Sequence, residues 1–210
     1  MVVLITAIAM AMPATGQTLE ITLIDSDSGS PLADAVVLLP QTKAAEGSET
    51  LEVIQRHRAF DPHVLVAPVG SRVAFPNKDN TYHHVYSFSA PKTFELELYA
   101  QEHEKPVHFD RPGIVELGCN IHDQMQGFII VADTKHLGQS AEDGKVRFTA
   151  AELDANTYPL TVRVWHTRMR DPSTYQEVSL PGPGSHAIEL DLRPAKSGGR
   201  FDSLQDRFSG

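Results

Sequence analysis

The feature that most constrains the fold is a recurring period-two alternation of apolar and polar residues. It runs through TLEITLI at 18–24, FELELY at 94–99, YPLTVRVW at 158–165 and AIELDL at 187–192. This period places every second side chain on one face of a β-strand, and Gly, Pro, Asn and Asp interrupt the runs. Further short apolar runs predict strands at 35–39, 64–66, 72–75, 114–117 and 128–131. Residues 40–52 are polar and Ala-rich and are predicted to form a loop, so the chain is expected to be all-β, a sandwich or a barrel.

Charge and cysteine content exclude several classes of partner and site. The 210 residues suffice for one or two domains. The chain has 18 Lys and Arg against 27 Asp and Glu, which gives a formal net charge of −9. Such a surface repels nucleic acid and anionic membranes, so neither is expected as a partner. The single cysteine, Cys119, excludes an intramolecular disulfide and any site that needs two thiolates.

The two ends of the chain differ from the rest in composition. Residues 1–16 carry no charge, and their apolar core is too short to span a bilayer, so they are predicted to be a signal peptide that is removed near residue 16. This predicts an exported, periplasmic protein without membrane insertion after signal removal; a buried first strand is the alternative. In an oxidising compartment an exposed thiol is a liability, so Cys119 is expected to be buried or a ligand. The Gly- and Ser-rich tail at 195–210 is predicted to be flexible.

One short segment contains a thiol, an imidazole and a thioether that could bind a metal. Cys119, His122 and Met125 follow one another at Cys-x2-His-x2-Met spacing, between the predicted strands at 114–117 and 128–131. Upstream, His83 or His84 offers a second imidazole from another strand end. Thiolate and imidazole with a distant thioether suit copper, whereas zinc is the alternative but structural zinc sites rarely use Met. A structural cysteine and a catalytic cysteine with His122 as its base are the other interpretations.

These motifs resemble the small blue-copper proteins, the cupredoxins, over roughly residues 51–134. The matching residues are Phe60-Asp61-Pro62, Val69-Gly70-x-x-Val73-x-Phe75-x-Asn77, His83 and Cys119-x2-His122-x2-Met125-x-Gly127. The separation of six between Asn77 and His83 is similar to the plastocyanin and amicyanin pattern, and the short ligand loop is similar to that of amicyanin. The segments HHVYSFSAPKTFEL and GCNIHDQMQGF further resemble an exported cupredoxin subgroup often labelled methylamine utilization proteins.

The resemblance implies a Greek-key β-sandwich with one mononuclear type 1 copper held by His83, Cys119, His122 and Met125. His83 is favoured over His84 by its distance from Asn77, and His84 stands where the family has Asn. The resemblance also implies that the protein is not an enzyme and transfers single electrons between redox protein partners, which the sequence does not identify, with docking at His122. Multicopper oxidases and copper nitrite reductases place His beside the ligand cysteine, whereas Gly118 and Asn120 stand there in this chain.

The flanking regions resemble a second domain. Residues 21–38 are similar to the opening, and residues 144–165 to the closing half, of the Ig-like carboxypeptidase regulatory-like sandwich. The prediction is an Ig-like sandwich built from 17–50 and 135–194, with the cupredoxin domain of 51–134 inserted; one enlarged sandwich is the alternative. Two other functions stay open, a copper storage or delivery protein and an envelope binding or scaffold protein. The carboxylates at 95, 97, 102 and 104 predict a solvated acidic face that could meet a basic redox partner.

Overall fold

Regular structure in the described part of this protein is entirely β. The computed structural model describes residues 18–40, 47–100, 105–149, 152–153 and 158–194, and these contain seventeen strands and no helix. The predicted all-β class is confirmed. Within these described ranges, no helix is long and apolar enough to cross a membrane. The predicted signal peptide at 1–16 and the predicted tail at 195–210 lie outside the described residues.

Most strands coincide with the alternating and apolar runs of the sequence. They are β1 (Leu19–Asp25), β2 (Val36–Leu38), β3 (Thr50–Glu52), β4 (Ile54–Arg56), β5 (Ala59–Asp61), β6 (Val64–Pro68), β7 (Arg72–Ala74), β8 (His83–Ser89), β9 (Lys92–Tyr99), β10 (Val107–His108), β11 (Gly113–Gly118), β12 (Gln126–Ala132), β13 (Leu137–Gln139), β14 (Lys145–Phe148), β15 (Leu160–Trp165), β16 (Gln176–Leu180) and β17 (Gly184–Leu190). The loop predicted for 40–52 is wrong at its end, where β3 pairs in parallel with β7. Tertiary pairing stabilises this strand, whose three residues, Thr-Leu-Glu, are too few to give a clear signal in the sequence. Residues 41–46 of that loop lie outside the described part of the chain.

The strands form sheets that follow the order of the chain only in part. The middle of the chain supplies a five-stranded sheet in the order β6-β12-β11-β8-β9, a three-stranded sheet β10-β7-β3 and the hairpin β4-β5. The two flanks combine with each other, because β1 pairs with β14 and β17, and β2 pairs with β13 and β15. Strands from the two flanks therefore pair with each other, although the middle of the chain separates them in sequence.

The five-stranded sheet contributes to two hydrophobic cores. On β11 and β12, Val115 and Ile129 face a core that also contains Cys119. The alternate residues Ile114 and Ile130 belong to a second core, which the flanking strands complete. Since successive side chains of a strand point to opposite faces, β11 and β12 lie between the two cores. The division into a cupredoxin domain at 51–134 and an Ig-like sandwich at 17–50 and 135–194 stays a prediction.

Candidate metal centre

The β11–β12 connection carries three of the predicted site residues. Cys119 follows the last residue of β11, and Met125 precedes the first residue of β12, so the paired strands set the ends of this short loop. Both side chains are buried, with 4% of Cys119 and 2% of Met125 exposed, and both belong to the same core. The amide of Met125 donates to the carbonyl of His122 over 2.8 Å, which closes a turn within the loop. His122 itself is half-buried.

His83 reaches the same place from the neighbouring strand. It is the first residue of β8, which pairs with β11 where Tyr86 stands opposite Gly118. The side chain of His83 is fully buried. Its Nδ1 lies 4.0 Å from Sγ of Cys119, and Nδ1 of His122 lies 3.9 Å from the same sulfur. The ligand atoms of the three residues all lie within 4.8 Å of one another.

These separations fit a metal ion among the three donors. A metal bound by imidazole at about 2.0 Å and by thiolate at about 2.3 Å, in a trigonal plane, separates nitrogen from sulfur by about 3.7 Å. The two observed nitrogen–sulfur distances, 3.9 and 4.0 Å, are close to that value. Both imidazoles present the same nitrogen, Nδ1, towards the sulfur. One soft thiolate with two imidazoles is a donor set that copper and zinc accept.

A carboxylate holds the other side of the His83 ring. Oδ2 of Asp79 lies 2.8 Å from Nε2 of His83, and the two carboxylate oxygens also accept the backbone amides of His57 and Arg58 over 2.7 and 2.9 Å. Burial by itself raises the pKa of Asp79, but the hydrogen bonds from the Arg58 amide, the His83 ring and the His57 amide outweigh it and lower the pKa to about 2. Asp79 is therefore an anion that orients the His83 ring.

The segment before His83 is braced to β9. The side-chain amide of Asn77 donates to the carbonyls of Thr81 and Tyr99 over 2.8 and 3.0 Å, and its oxygen accepts the amide of Asp79 over 2.9 Å. Asn77 is 5% exposed, so these bonds form inside the protein. The sequence resemblance includes Asn77 in its motif, and the structure assigns it the bracing of this loop.

A buried polar network beneath this segment was missed by the sequence analysis. The side-chain amide of Gln55 donates to the hydroxyl of Tyr99 over 2.5 Å and to the carbonyl of Phe75 over 2.9 Å, and the same carbonyl accepts the Tyr99 hydroxyl. Burial raises the pKa of Tyr99 to about 12, with the nearby Cys119 sulfur adding to the rise and the Gln55 bond opposing it. Neither residue stands near the ligand motifs in sequence, so spacing alone gives no signal for them.

His84 points away from the cluster. Its Nε2 lies 2.8 Å from Oε1 of Glu95 on β9, and its side chain is buried. His83, and not His84, is the histidine whose ring lies beside Cys119. The carboxylate of Glu95, which the sequence assigns to a solvated acidic face, is mostly exposed but takes this partner.

Comparisons with known proteins give structural likeness only. No protein-family profile and no curated protein matches the chain. Among solved structures, a reduced Cu(I) form of a mutant amicyanin matches at 17% identity and a TM-score of 0.36, covering 45% of this chain and 97% of that one. The purple cupredoxin from Nitrosopumilus maritimus matches at 20% identity and a TM-score of 0.36, covering 39% of this chain and 99% of that one. An oxidized mutant amicyanin gives a TM-score of 0.37 at 17% identity over 45% of this chain and 97% of that one.

Proposed function

We propose that the chain is a periplasmic type 1 copper protein that transfers single electrons between redox partners. His83, Cys119 and His122 would hold one copper ion, and Met125 would be its weak axial ligand. Bound copper supplies the one-electron chemistry, since it cycles between two oxidation states with this donor set. Export rests on the composition of residues 1–16 and is part of the same proposal.

The observation that carries the proposal is the arrangement of two imidazole nitrogens around Sγ of Cys119, which brings three donor atoms together. The two imidazole nitrogens lie 3.9 and 4.0 Å from this sulfur, close to the separation of about 3.7 Å that a shared metal would require. The Asp79 carboxylate accepts a hydrogen bond from Nε2 of His83, on the edge of the ring opposite Cys119. Metal-binding histidines usually donate their second ring N–H to a partner of this kind. Met125 supplies a buried thioether one residue before β12.

Burial of the cluster favours electron exchange over catalysis on a substrate. Less than a tenth of His83, Cys119 and Met125 is exposed, and His122 alone is half-buried. A catalytic metal needs an open position that a substrate can reach, whereas an electron can pass through a ligand ring. The β11–β12 pairing holds both ends of the loop, so the donors need to move little when an electron arrives.

Copper reconstitution tests the proposal. The purified chain is titrated with Cu(II) and followed by visible absorption and paramagnetic resonance. We expect one copper per chain, an intense thiolate-to-copper charge-transfer band and narrow copper hyperfine splitting. Cys119→Ser should remove the band and leave a folded β-protein by circular dichroism.

Two histidine variants make the test specific. His83→Gln should lose the band, whereas the matched variant His84→Gln should keep it, because His84 turns towards Glu95. Retention of the band in Cys119→Ser or in His83→Gln would overturn the ligand assignment. A pale protein that binds one Cu(II) in an ordinary tetragonal site would favour storage or delivery instead.

A further inference from the structure

Tyr99 is bonded at both of its ends to the segment that presents His83. Its hydroxyl donates to the carbonyl of Phe75 over 2.5 Å, at the start of this segment. Its own carbonyl accepts the side-chain amide of Asn77 over 3.0 Å. Across the β8–β9 pairing, Tyr99 stands directly opposite His83, at the end of the segment. One residue of β9 therefore contacts residues 75–83, here called the His83 arm, at three points along their length.

The backbone pairing of His83 depends on Tyr99. The β8–β9 register is irregular between His83 and Val85, so the pair of His83 with Tyr99 is set apart from the regular ladder that begins at Val85. On its other side, β8 pairs with β11 further along, where Tyr86 stands opposite Gly118. Among the described residues, the one strand residue that pairs with His83 is therefore Tyr99. A shift of Tyr99 would move His83 without disturbing the rest of β8.

The Tyr99 side chain lies in the same core as the candidate metal centre. It is half-buried and packs against the cluster that contains Cys119 and Phe75. Gln55 is fully buried, and its side-chain amide donates to the Tyr99 hydroxyl over 2.5 Å and to the Phe75 carbonyl over 2.9 Å. The three groups form a closed triangle of hydrogen bonds, which fixes the hydroxyl as a donor to Phe75. Hydrogen bonds in a protein interior are stronger than in water, and a buried donor without a partner is costly.

Tyr99 and Asp79 act on different parts of the histidine. The Asp79 carboxylate meets Nε2 and sets the rotation of the ring, whereas Tyr99 sets the position of the backbone from which the ring extends. Both act together to place Nδ1 of His83 at 4.0 Å from Sγ of Cys119. The sulfur itself is held by the β11–β12 connection. The separation of the two donors is therefore set by β9 on one side and by β11 and β12 on the other.

We infer that Tyr99 is a positioning residue, which holds Nδ1 of His83 at a fixed distance from Sγ of Cys119 through its bonds to the His83 arm. This inference rests on the proposed function, because a fixed separation matters most to an ion that must keep one geometry when an electron arrives or leaves. Without the hydroxyl, Gln55 alone would hold the Phe75 carbonyl, and the His83 arm could move away from the sulfur. Cu(I) is held mainly by soft sulfur ligands, whereas Cu(II) depends more on imidazole, so a looser arm would weaken Cu(II) binding more.

The first measurement needs no metal. In the isotope-labelled, metal-free full chain, nuclear Overhauser contacts between the His83 ring and the β-protons of Cys119 report their separation. We expect these contacts in the wild type and weaker ones in Tyr99→Phe, which keeps the ring in the core and removes only the hydroxyl. Gln55→Met should weaken them less, because the Tyr99 hydroxyl still donates to Phe75. The control is Ile188→Val in the flanking core, which loses one buried methyl group and should destabilise the chain without changing these contacts.

Copper gives the second measurement. In Tyr99→Phe the affinity for Cu(II) should fall about tenfold, at the lower end of the losses that follow removal of a group supporting a metal ligand, and the affinity for Cu(I) about twofold. The ratio of the two affinities then falls about fivefold, so the reduction potential rises by about 40 mV, at about 59 mV for each tenfold change. Ile188→Val should leave the potential unchanged.

The two measurements separate this inference from the copper proposal. Unchanged Overhauser contacts or an unchanged potential in Tyr99→Phe, or equal changes in Ile188→Val, would overturn the inference. If the wild-type chain forms no coloured site with copper, contacts that weaken in Tyr99→Phe and not in Ile188→Val would support the positioning role while contradicting the copper proposal.

Discussion

Nε2 of His83 and Oδ2 of Asp79 lie 2.8 Å apart, so that the opposite nitrogen of the ring, Nδ1, faces Sγ of Cys119. The same carboxylate accepts two consecutive amides from the β4–β5 turn, those of His57 and Arg58. Both turn residues have left-handed backbone angles, with φ of 56° and 58°, which cost a non-glycine residue about 1 kcal/mol or more each. One side chain thus stabilises a strained turn and orients a candidate metal ligand.

Removal of the Asp79 charge should lower both the stability of the fold and the affinity for copper. In Asp79→Asn an amide replaces the acceptor of three hydrogen bonds, so the free energy of unfolding should fall by about 1.5–3 kcal/mol. Copper affinity should fall by about 10–100-fold, because the His83 ring loses its orienting carboxylate. Urea unfolding and competition with a copper chelator measure the two effects.

The control is Asp61→Asn on the adjoining strand β5. This carboxylate is 59% exposed and lies 3.8 Å from Arg56, so its loss should change stability by about 0.5 kcal/mol or less. Equal losses of stability and affinity in the two variants would show that Asp79 has no special role at His83.

Gly118 should tolerate no side chain while Tyr86 is present. Its Cβ in Gly118→Ala would lie 2.6 Å from Cζ and 2.8 Å from the hydroxyl oxygen of Tyr86, so ring and backbone must move apart. We expect a loss of about 1–3 kcal/mol in the free energy of unfolding, as for other overpacked sites. Denaturant unfolding measures this loss.

A second substitution and a control identify the cause of that loss. Tyr86→Ala in the Gly118→Ala background should recover part of the stability, because the collision is removed. Gly182→Ala should have little effect, since no atom lies within 4 Å of its added Cβ. If the loss in Gly118→Ala is the same with and without Tyr86, the ring is not what excludes a side chain there.

Two phenylalanines on the outer face of one sheet should differ sharply in their contribution to stability. Phe128 is 1% exposed and its ring packs edge-on against Trp165, so Phe128→Ala should cost about 3–5 kcal/mol of unfolding free energy. Phe88 is 78% exposed, and Phe88→Ala should cost about 0.5 kcal/mol or less. Thermal unfolding of both variants measures the difference, and comparable losses would mean that the flank does not cover β12 as described.

Features that depend on residues close together in sequence were predicted best. Strands β1 and β15 have one buried face and therefore alternate clearly, whereas β9 alternates although only Leu96 of its residues is buried. The loop from Cys119 to Met125 holds its candidate ligands within seven residues. Strand β8 was recognised only as a strand end, because its polar residues His83, His84 and Ser87 are buried and hide the alternation.

Contacts between distant segments were not accessible to pattern analysis. Asp79 is 22 positions from His57, and Gln55 is 44 positions from Tyr99, so only the fold brings them together. The turn at His57 and Arg58 adopts an angle that usually selects Gly or Asn, and an arginine at the second of these positions does not signal it. The ligand set could therefore be proposed from the Cys-x2-His-x2-Met spacing together with the family resemblance, but the groups that orient it could not.

His166 should make the folded state less stable in mild acid. It is 7% exposed, and its Nδ1 accepts the amide of Arg168 over 3.1 Å, which requires a neutral ring. Burial lowers the pKa of His166 from its ordinary value of 6.5, and the Arg168 charge lowers it further, while a backbone bond at Ala33 and the carboxylates of Asp34 and Asp25 oppose the shift. Below about pH 6.5 the unfolded chain therefore binds more protons at this residue than the folded chain, and the free energy of unfolding falls as pH is lowered from about 7 to 5. Urea unfolding across this range should show the fall in the wild type and a shallower one in His166→Gln, which has no imidazole to charge. A slope that is equal in the two proteins would assign the acid sensitivity to other groups.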